Sequence, residues 1–301
     1  MKALLNISTN LSLYAISEAL IVARHIKHYY PEAAVDIAAL RGNHSFAKRA
    51  KGVNQVYCLP EQVRNESEYD VVYKLTAEKE LKMYHKVPPT LATQLLEDIS
   101  YKPQPSLYNY ESRAMADSRA RVKQTLSKIP KKKGYVAIQF SSKAGDWSDY
   151  MNREVFQAIV RHVSAKGYTP MNLEWNYNFP MKNKGDKKKV WGREPIGDSD
   201  TIQAFIEQCE LFIGTTPGPI NVAGCTTTPT IATWLDRHPI EYFGSVHSKN
   251  VLHLVPRNHT NSLDRYGKHK EDYLKLFRDE YPHELYTDLL PAILKEVDKK
   301  L

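Results

Sequence analysis

Between Leu211 and Trp234 the chain reads LFIGTTPGPINVAGCTTTPTIATW, a run whose residue types describe an anion site. Residues 211–213 are apolar and suit a buried strand. Gly214-Thr215-Thr216-Pro217-Gly218 then supplies turn chemistry. A helix is expected from Pro219, because a proline in the first helical turn gives up an N–H that would lack a partner anyway. A strand that enters a Gly/Thr turn opening a helix gathers free amides and the positive end of the helix dipole in one place. That place suits a phosphate-sized anion. Thr226-Thr227-Thr228-Pro229 and a strand over 230–234 complete a β-α-β unit.

Other elements must position this turn. Residues 2–7 form a short apolar strand, and Ser8-Thr9-Asn10 follows as a turn with good helix caps. Leu13, Ile16, Leu20, Ala23 and Ile26 recur at helical spacing until Pro31. Strands are expected at 34–40, 55–59 and 69–75, and helices at 88–99 and 111–128. Ile129-Pro130-Lys131-Lys132-Lys133-Gly134 has linker chemistry: a helix stop, a charge run and a glycine. Beyond it come a strand at 135–140, a helix at 153–166 closed by Gly167, a strand at 169–174 and a helix at 200–208. Leu285, Leu289, Ile293 and Val297 make a last amphipathic helix at steps of four. Strands alternating with helices indicate doubly wound α/β architecture with parallel sheets.

Composition bounds the function. The chain has 301 residues, 25% charged and 42% hydrophobic, enough for two soluble domains. No apolar stretch reaches the roughly 18 residues that span a bilayer. The start lacks a basic, cleavable signal pattern, so a cytoplasmic protein is expected. Cys58, Cys209 and Cys225 form no C-x-x-C pair and imply neither zinc nor disulfides. No H-E-x-x-H spacing occurs among the 11 histidines. A net charge of +8 favours polyanionic partners, namely nucleotides, phosphorylated glycans, anionic membrane surfaces or nucleic acid.

The run from Gly214 through Thr216, Gly218, Pro219, Ala223, Pro229 and Thr230 resembles the C-terminal signature of the heptosyltransferases, family 9-like glycosyltransferases of the GT-B fold. The likeness extends over nearly the whole chain. YPEAAVDI, KGVNQVYCLP and YDVVYKL resemble the family's early strands. YVAIQFSSKAGDW and REVFQAIVRHVSAKGYTPMNLEW resemble the opening of its second domain. The resemblance implies two Rossmann-like domains facing a cleft. Residues 1–130 would present the acceptor and 134–283 would hold a nucleotide-sugar donor. The helix from 284 to 301 would return toward the first domain, as in similar folds.

In such enzymes the transition state places positive charge on the sugar and negative charge on the departing diphosphate, whose stabilisation is the main electrostatic task. The resemblance assigns that task to Thr215, Thr216, Gly218 and Pro219 with the amides beyond, without metal or other cofactor. Asn221 stands where the family has a histidine. Ser141, Ser142 and Lys143 leave a strand at its carboxyl end, the ligand-facing edge of a parallel sheet. Lys143 matches the family's phosphate lysine in type but not in spacing, and Arg153 is its substitute. Glu174 is the candidate for the ribose. Asp198-Ser199-Asp200 matches the D-x-D metal motif of another glycosyltransferase fold, but Asp200 with Gln203 reads as a helix cap and its third-position partner.

The family's catalytic aspartate falls on Leu13, which cannot accept a proton. Asp146, then Asp149, then Glu18 are the candidates to replace it, with Gly145 giving Asp146 close approach; His44 is a further option. The leading expectation is a transferase acting on lipopolysaccharide or another surface glycan, cytoplasmic or peripheral at the inner membrane surface. A phage-type enzyme glycosylating hydroxymethylated DNA in a host cytoplasm, and a non-catalytic nucleotide-sugar-binding protein, are the alternatives.

Overall fold

The computed structural model describes residues 1–7, 13–49, 51–59, 65–74, 107, 113–130, 132–139, 151, 153–173, 199–215, 217–234, 248–256, 280–281 and 286–301. In the first part, β1 (Lys2–Asn6), α1 (Leu13–Tyr29), β2 (Ala34–Leu40), α2 (Arg41–Ala47), β3 (Gln55–Leu59) and β4 (Val71–Lys74) form a four-stranded sheet ordered β3-β2-β1-β4. Its pairings are all parallel. Alternation along β1 sends Ala3, Leu5 and Ile7 into the core with α1, and Leu4 toward Ala38, Tyr69 and Val72 on the other face. On α1, Ile16, Leu20, Ala23 and Ile26 are buried, as their spacing predicts. The helix stops before Tyr30, which precedes Pro31 and is biased out of helical conformation. Lys27 Nζ then donates to the carbonyls of Pro31 and Ala33, at 2.6 and 2.8 Å, and fixes the turn into β2.

The sequence gives little sign of α2. Gly42 and Asn43 are poor helix formers, and Leu40 provides no side-chain cap. Phe46 and Ala47 are fully buried, so packing rather than propensity makes this helix.

The second part holds α3 (Ala116–Leu126), β5 (Tyr135–Ile138), α4 (Arg153–Ala165), β6 (Thr169–Asn172), α5 (Ser199–Ile206), β7 (Leu211–Gly214), α6 (Pro217–Gly224), β8 (Thr230–Thr233), β9 (Val251–Pro256), β10 (Glu280–Tyr281) and α7 (Tyr286–Lys300). A second parallel sheet runs β10-β9-β8-β7-β5-β6. Val136, Ile138, Leu211, Ile213, Ile231 and Leu254 face α4 and α7. Ala137, Phe212 and Ala232 face the opposite side with α5 and α6. Both faces are covered, which is why these strands read as continuous apolar runs.

The two separate sheets match the expected two-part α/β architecture. They are joined by helices: α1 packs along α6, and α2 and α3 pack along α5. One apolar cluster therefore runs from β1 and β2 through α1 and α6 to β7 and β8. We propose the division at residues 130–134, with α3 lying against the second unit's α5. In the last helix Leu289, Ile293 and Val297 pack with α4 and β9, and Asp298 holds His162 and Lys166 of α4's end at 2.8 and 3.0 Å. The apolar stripe finds cover on the second sheet, and a return of residues 284–301 toward the first unit stays a proposal.

Candidate functional site

The order of the second sheet reverses between β5 and β7. β5 leads into α4 on one face, and β7 leads into α6 on the other, and the carboxyl ends of such a strand pair are where doubly wound sheets take ligands. Gln139 follows β5, fully buried, with its backbone N–H donating to the Ile213 carbonyl at 2.8 Å. Gly214 ends β7, and Thr233 Oγ1 donates to its carbonyl at 3.2 Å. A Cβ on Gly214 would stand 2.8 Å from the Phe212 ring and 3.2 Å from Ile220, so any other residue at this strand-to-helix corner would have to push the buried Phe212 ring aside. Thr215 follows, buried.

The helix starts at Pro217, two residues before the expected Pro219. Gly218 and Pro219 thus lie inside its first turn instead of ahead of it. Two prolines there have a chemical consequence. Of residues 217–219 only Gly218 carries an N–H, so the anion cradle is thinner in backbone donors than a helix N-terminus ordinarily is. One turn further, Asn221 is fully buried and neither its Oδ1 nor its Nδ2 has a hydrogen-bond partner. An unsatisfied buried amide costs about 1–3 kcal/mol, and native structures hold few. Gly218, Asn221 and Cys225 share one helical face by spacing. Cys225 is buried, its thiol pushed up to about 12 by burial, with Arg49 and Arg24 pulling the other way. Cys209 is likewise raised by burial, so both behave as the inert structural thiols their surroundings predict. At the carboxyl end of β6, Asn172 is also buried with an unpartnered Oδ1.

At the carboxyl end of β8, Trp234 Nε1 donates to His253 Nδ1 at 3.0 Å. Indole nitrogen is a donor only, so His253 carries its proton on Nε2.

Ser141, Ser142, Lys143, Asp146, Asp149, Glu174 and Thr216 lie outside the described residues. Arg153 opens α4, and Glu18 lies in α1, but their side chains also lie outside that description. His44 Nε2 lies 3.3 Å from the Val56 carbonyl, at the amino-terminal part of the molecule.

Asp200 departs from both readings of the D-x-D run. It sits within the first turn of α5, 1% exposed, and its carboxylate accepts the Met115 backbone amide at 3.1 and 3.3 Å. It also pairs with Arg49, at the end of α2, at 2.5 Å. Asp200 therefore serves the start of α3 and a cation of the first unit, not its own helix end. Gln203, expected as its capping partner, accepts from Arg49 Nη2 and donates to Glu207, both at 2.9 Å. Burial pushes the Glu207 carboxyl up, against hydrogen bonds from the Ala114 amide and Gln203. No group of three or more metal-ligating side chains occurs among the described residues.

The first sheet has its own reversal, between β1 and β4. Asn6 and Lys74, the last residues of these strands, are register partners. Asn6 Nδ2 donates to Glu66 Oε1 at 2.9 Å, and Lys74 Nζ pairs with Glu66 Oε2 at 2.5 Å. Lys74 beside it holds the Glu66 carboxyl below the usual range. Sequence reasoning missed Glu66. Its one signal is Asn65, whose side chain accepts the Ser67 amide and starts a short 3-10 turn over Glu66–Glu68. A hollow of about 300 Å³ lined by Lys27, Glu32, Gly52 and Asn54 lies at the amino-terminal end of β2, the edge opposite the strands' carboxyl ends.

No family model and no curated protein matches this sequence. Solved structures do resemble it. The ADP-heptose lipopolysaccharide heptosyltransferase II of E. coli superposes with a TM-score of 0.65 at 14% identity, over 99% of this chain and 100% of that one. A glycosyltransferase family 9 protein from Veillonella parvula gives 0.67 at 10% identity, covering 99% and 96%. The E. coli heptosyltransferase WaaC, solved with ADP, gives 0.58 at 11% identity over both full lengths. The likeness is one of architecture along the entire chain: this protein has the two-sheet GT-B fold in which those heptosyltransferases are built.

Proposed function

We propose that this chain is a nucleotide-sugar-dependent glycosyltransferase that moves a sugar onto a hydroxyl of lipopolysaccharide or another surface glycan. What supports the reading is the sheet reversal between β5 and β7, where the Gly214 corner leads into α6, whose first turn holds Gly218 and whose next residues include the buried, unpartnered amide of Asn221. A diphosphate supplies the acceptor oxygens such a site lacks. The fold shared with a heptosyltransferase solved with ADP makes a nucleoside diphosphate the fitting ligand. Thr215, Thr216, Gly218 and Asn221 would hold the diphosphate, with Ser141, Ser142, Lys143 and Arg153 on the β5 side and Glu174 near the ribose.

As the bond from the sugar to the diphosphate breaks, charge grows on the phosphate oxygens. Fixed donors already aimed there need no reorganisation, so they lower the barrier. No helix among the described residues is long and apolar enough to cross a membrane, and a cytoplasmic or peripheral place suits the reading.

Calorimetry with ADP, UDP, GDP and CDP tests the site, and release of nucleoside diphosphate from a panel of sugar nucleotides and glycan acceptors tests the reaction. Absence of binding by all four sinks the proposal. Transfer to hydroxymethylated DNA instead of glycans would redirect it to the DNA-modifying reading, which the net charge of +8 favours. Gly218→Val should weaken nucleotide binding at least about 10-fold with the fold intact, because it crowds the remaining first-turn amide; unchanged affinity places the diphosphate elsewhere. Transfer is expected to proceed without metal. Loss of turnover on treatment with EDTA, restored by manganese, would overturn that.

A further inference from the structure

The position where the resemblance expects a proton acceptor carries Leu13, and the sequence offers Asp146 and Asp149 in its stead. The first sheet holds a further carboxylate. In a parallel sheet, ligands gather outside the carboxyl ends of the strands where the order reverses. In the first sheet that point is the end of β1 and β4, and its two terminal residues, Asn6 and Lys74, both reach Glu66. We propose that Asn6, Glu66 and Lys74 form the acceptor end of the transfer site, with Glu66 the base that takes the proton of the attacking hydroxyl. This rests on the glycosyltransferase reading above.

The chemistry of the three groups fits a sugar. An amide N–H₂, an ammonium and a carboxylate side by side offer donors and an acceptor to neighbouring hydroxyls. The side chains of Glu66 and Lys74 remain 37% and 45% exposed, so a ligand can reach them. An ion pair this exposed adds little to stability, and holding the fold does not account for it.

The acceptor oxygen forms the new bond to C1 of the donor sugar. The C1–O bond to the diphosphate breaks, and its electron pair leaves on the nucleoside diphosphate. The hydroxyl proton passes to a Glu66 carboxylate oxygen and then to solvent. The Lys74 contact favours the ionised form of Glu66 before attack. Among the described residues, the charged groups near Glu66 include Lys74 of β4 and, on its own segment, Glu68, which is matched by Lys2 of β1 at 3.8 Å. Because Lys74 holds the carboxyl low, the acid limb of kcat/KM should fall below the ordinary glutamate range.

The test compares wild type, Glu66→Gln, Glu66→Asp, Lys74→Met and Asp146→Asn, using ADP binding and nucleoside diphosphate release with the acceptor panel. Glu66→Gln should lose about 10²-fold or more in turnover while binding ADP within about twofold of wild type, as expected for loss of a general base. Glu66→Asp should recover part of the rate. Lys74→Met should retain more turnover than Glu66→Gln and move the acid limb upward, a shift that a merely structural pair would not produce. Wild-type turnover in Glu66→Gln, an unmoved limb in Lys74→Met, or a dead Asp146→Asn beside an active Glu66→Gln each overturns the inference while leaving the transferase reading in place. A wild-type protein that binds no nucleotide and releases none brings down the transferase reading first and this inference with it.

Discussion

Asp200→Ala is expected to destabilise the folded chain by about 3–5 kcal/mol, the range for removing one partner of a buried ion pair. Asp200 is 1% exposed and the Arg49 side chain 17%, so the guanidinium would be left inside without its carboxylate. The Met115 amide, which begins α3, would lose its acceptor as well. Gln203 Oε1 would remain as a neutral partner at 2.9 Å, with the Glu207 carboxyl in electrostatic reach of the guanidinium but not paired to it in the structure's ion pairs. Asp200→Asn keeps an acceptor for Met115 and should fall between wild type and alanine. Urea unfolding followed by far-ultraviolet circular dichroism measures this. A loss under about 1 kcal/mol for the alanine variant would mean that the pair is solvated and worth no more than a surface bridge.

The second large effect has opposite signs in two measurements. Asn221→Leu replaces a buried amide that has no partner with an apolar side chain of similar size. The ligand-free protein should gain about 1–3 kcal/mol, since the desolvation penalty of the unmade hydrogen bonds disappears. Nucleoside diphosphate affinity should drop about 10-fold or more, because the helix already lacks amides at Pro217 and Pro219. Thermal unfolding with and without ADP reads both at once: the variant should melt higher alone and respond less to nucleotide. A variant that is more stable and binds ADP as wild type does would make Asn221 a core residue with no ligand.

Much of the fold is legible in residue pattern. Ile16, Leu20, Ala23 and Ile26 declare α1, and the runs at 34–40 and 55–59 match β2 and β3 end for end. The Gly-Thr turn marks the site because strand, corner and helix are all local events. What escaped depends on residues far apart in sequence. Nothing near α2 foretells a helix, since buried Phe46 supplies the reason. Asp200 resembles a cap because its sequence neighbours favour one; its partners, Met115 and Arg49, come from other elements. Glu66 was invisible for the same cause: Asn6 lies 60 residues away, and only parallel pairing of β1 with β4 brings it and Lys74 together. The start of α6 was misplaced by two residues because either proline can occupy a helix's first turn.

The apolar cluster that passes from the first sheet through α1 and α6 into the second bears on how the two halves can exist. Domains that touch across a polar surface can be cut apart and expressed singly. Here α1 has one side on its own sheet and the other on α6, so a fragment ending before the linker would carry a bare hydrophobic helix face into solvent. Neither half is expected to stand as an autonomous building block. Chimaeras that swap the second half would have to carry a matching α1 with it.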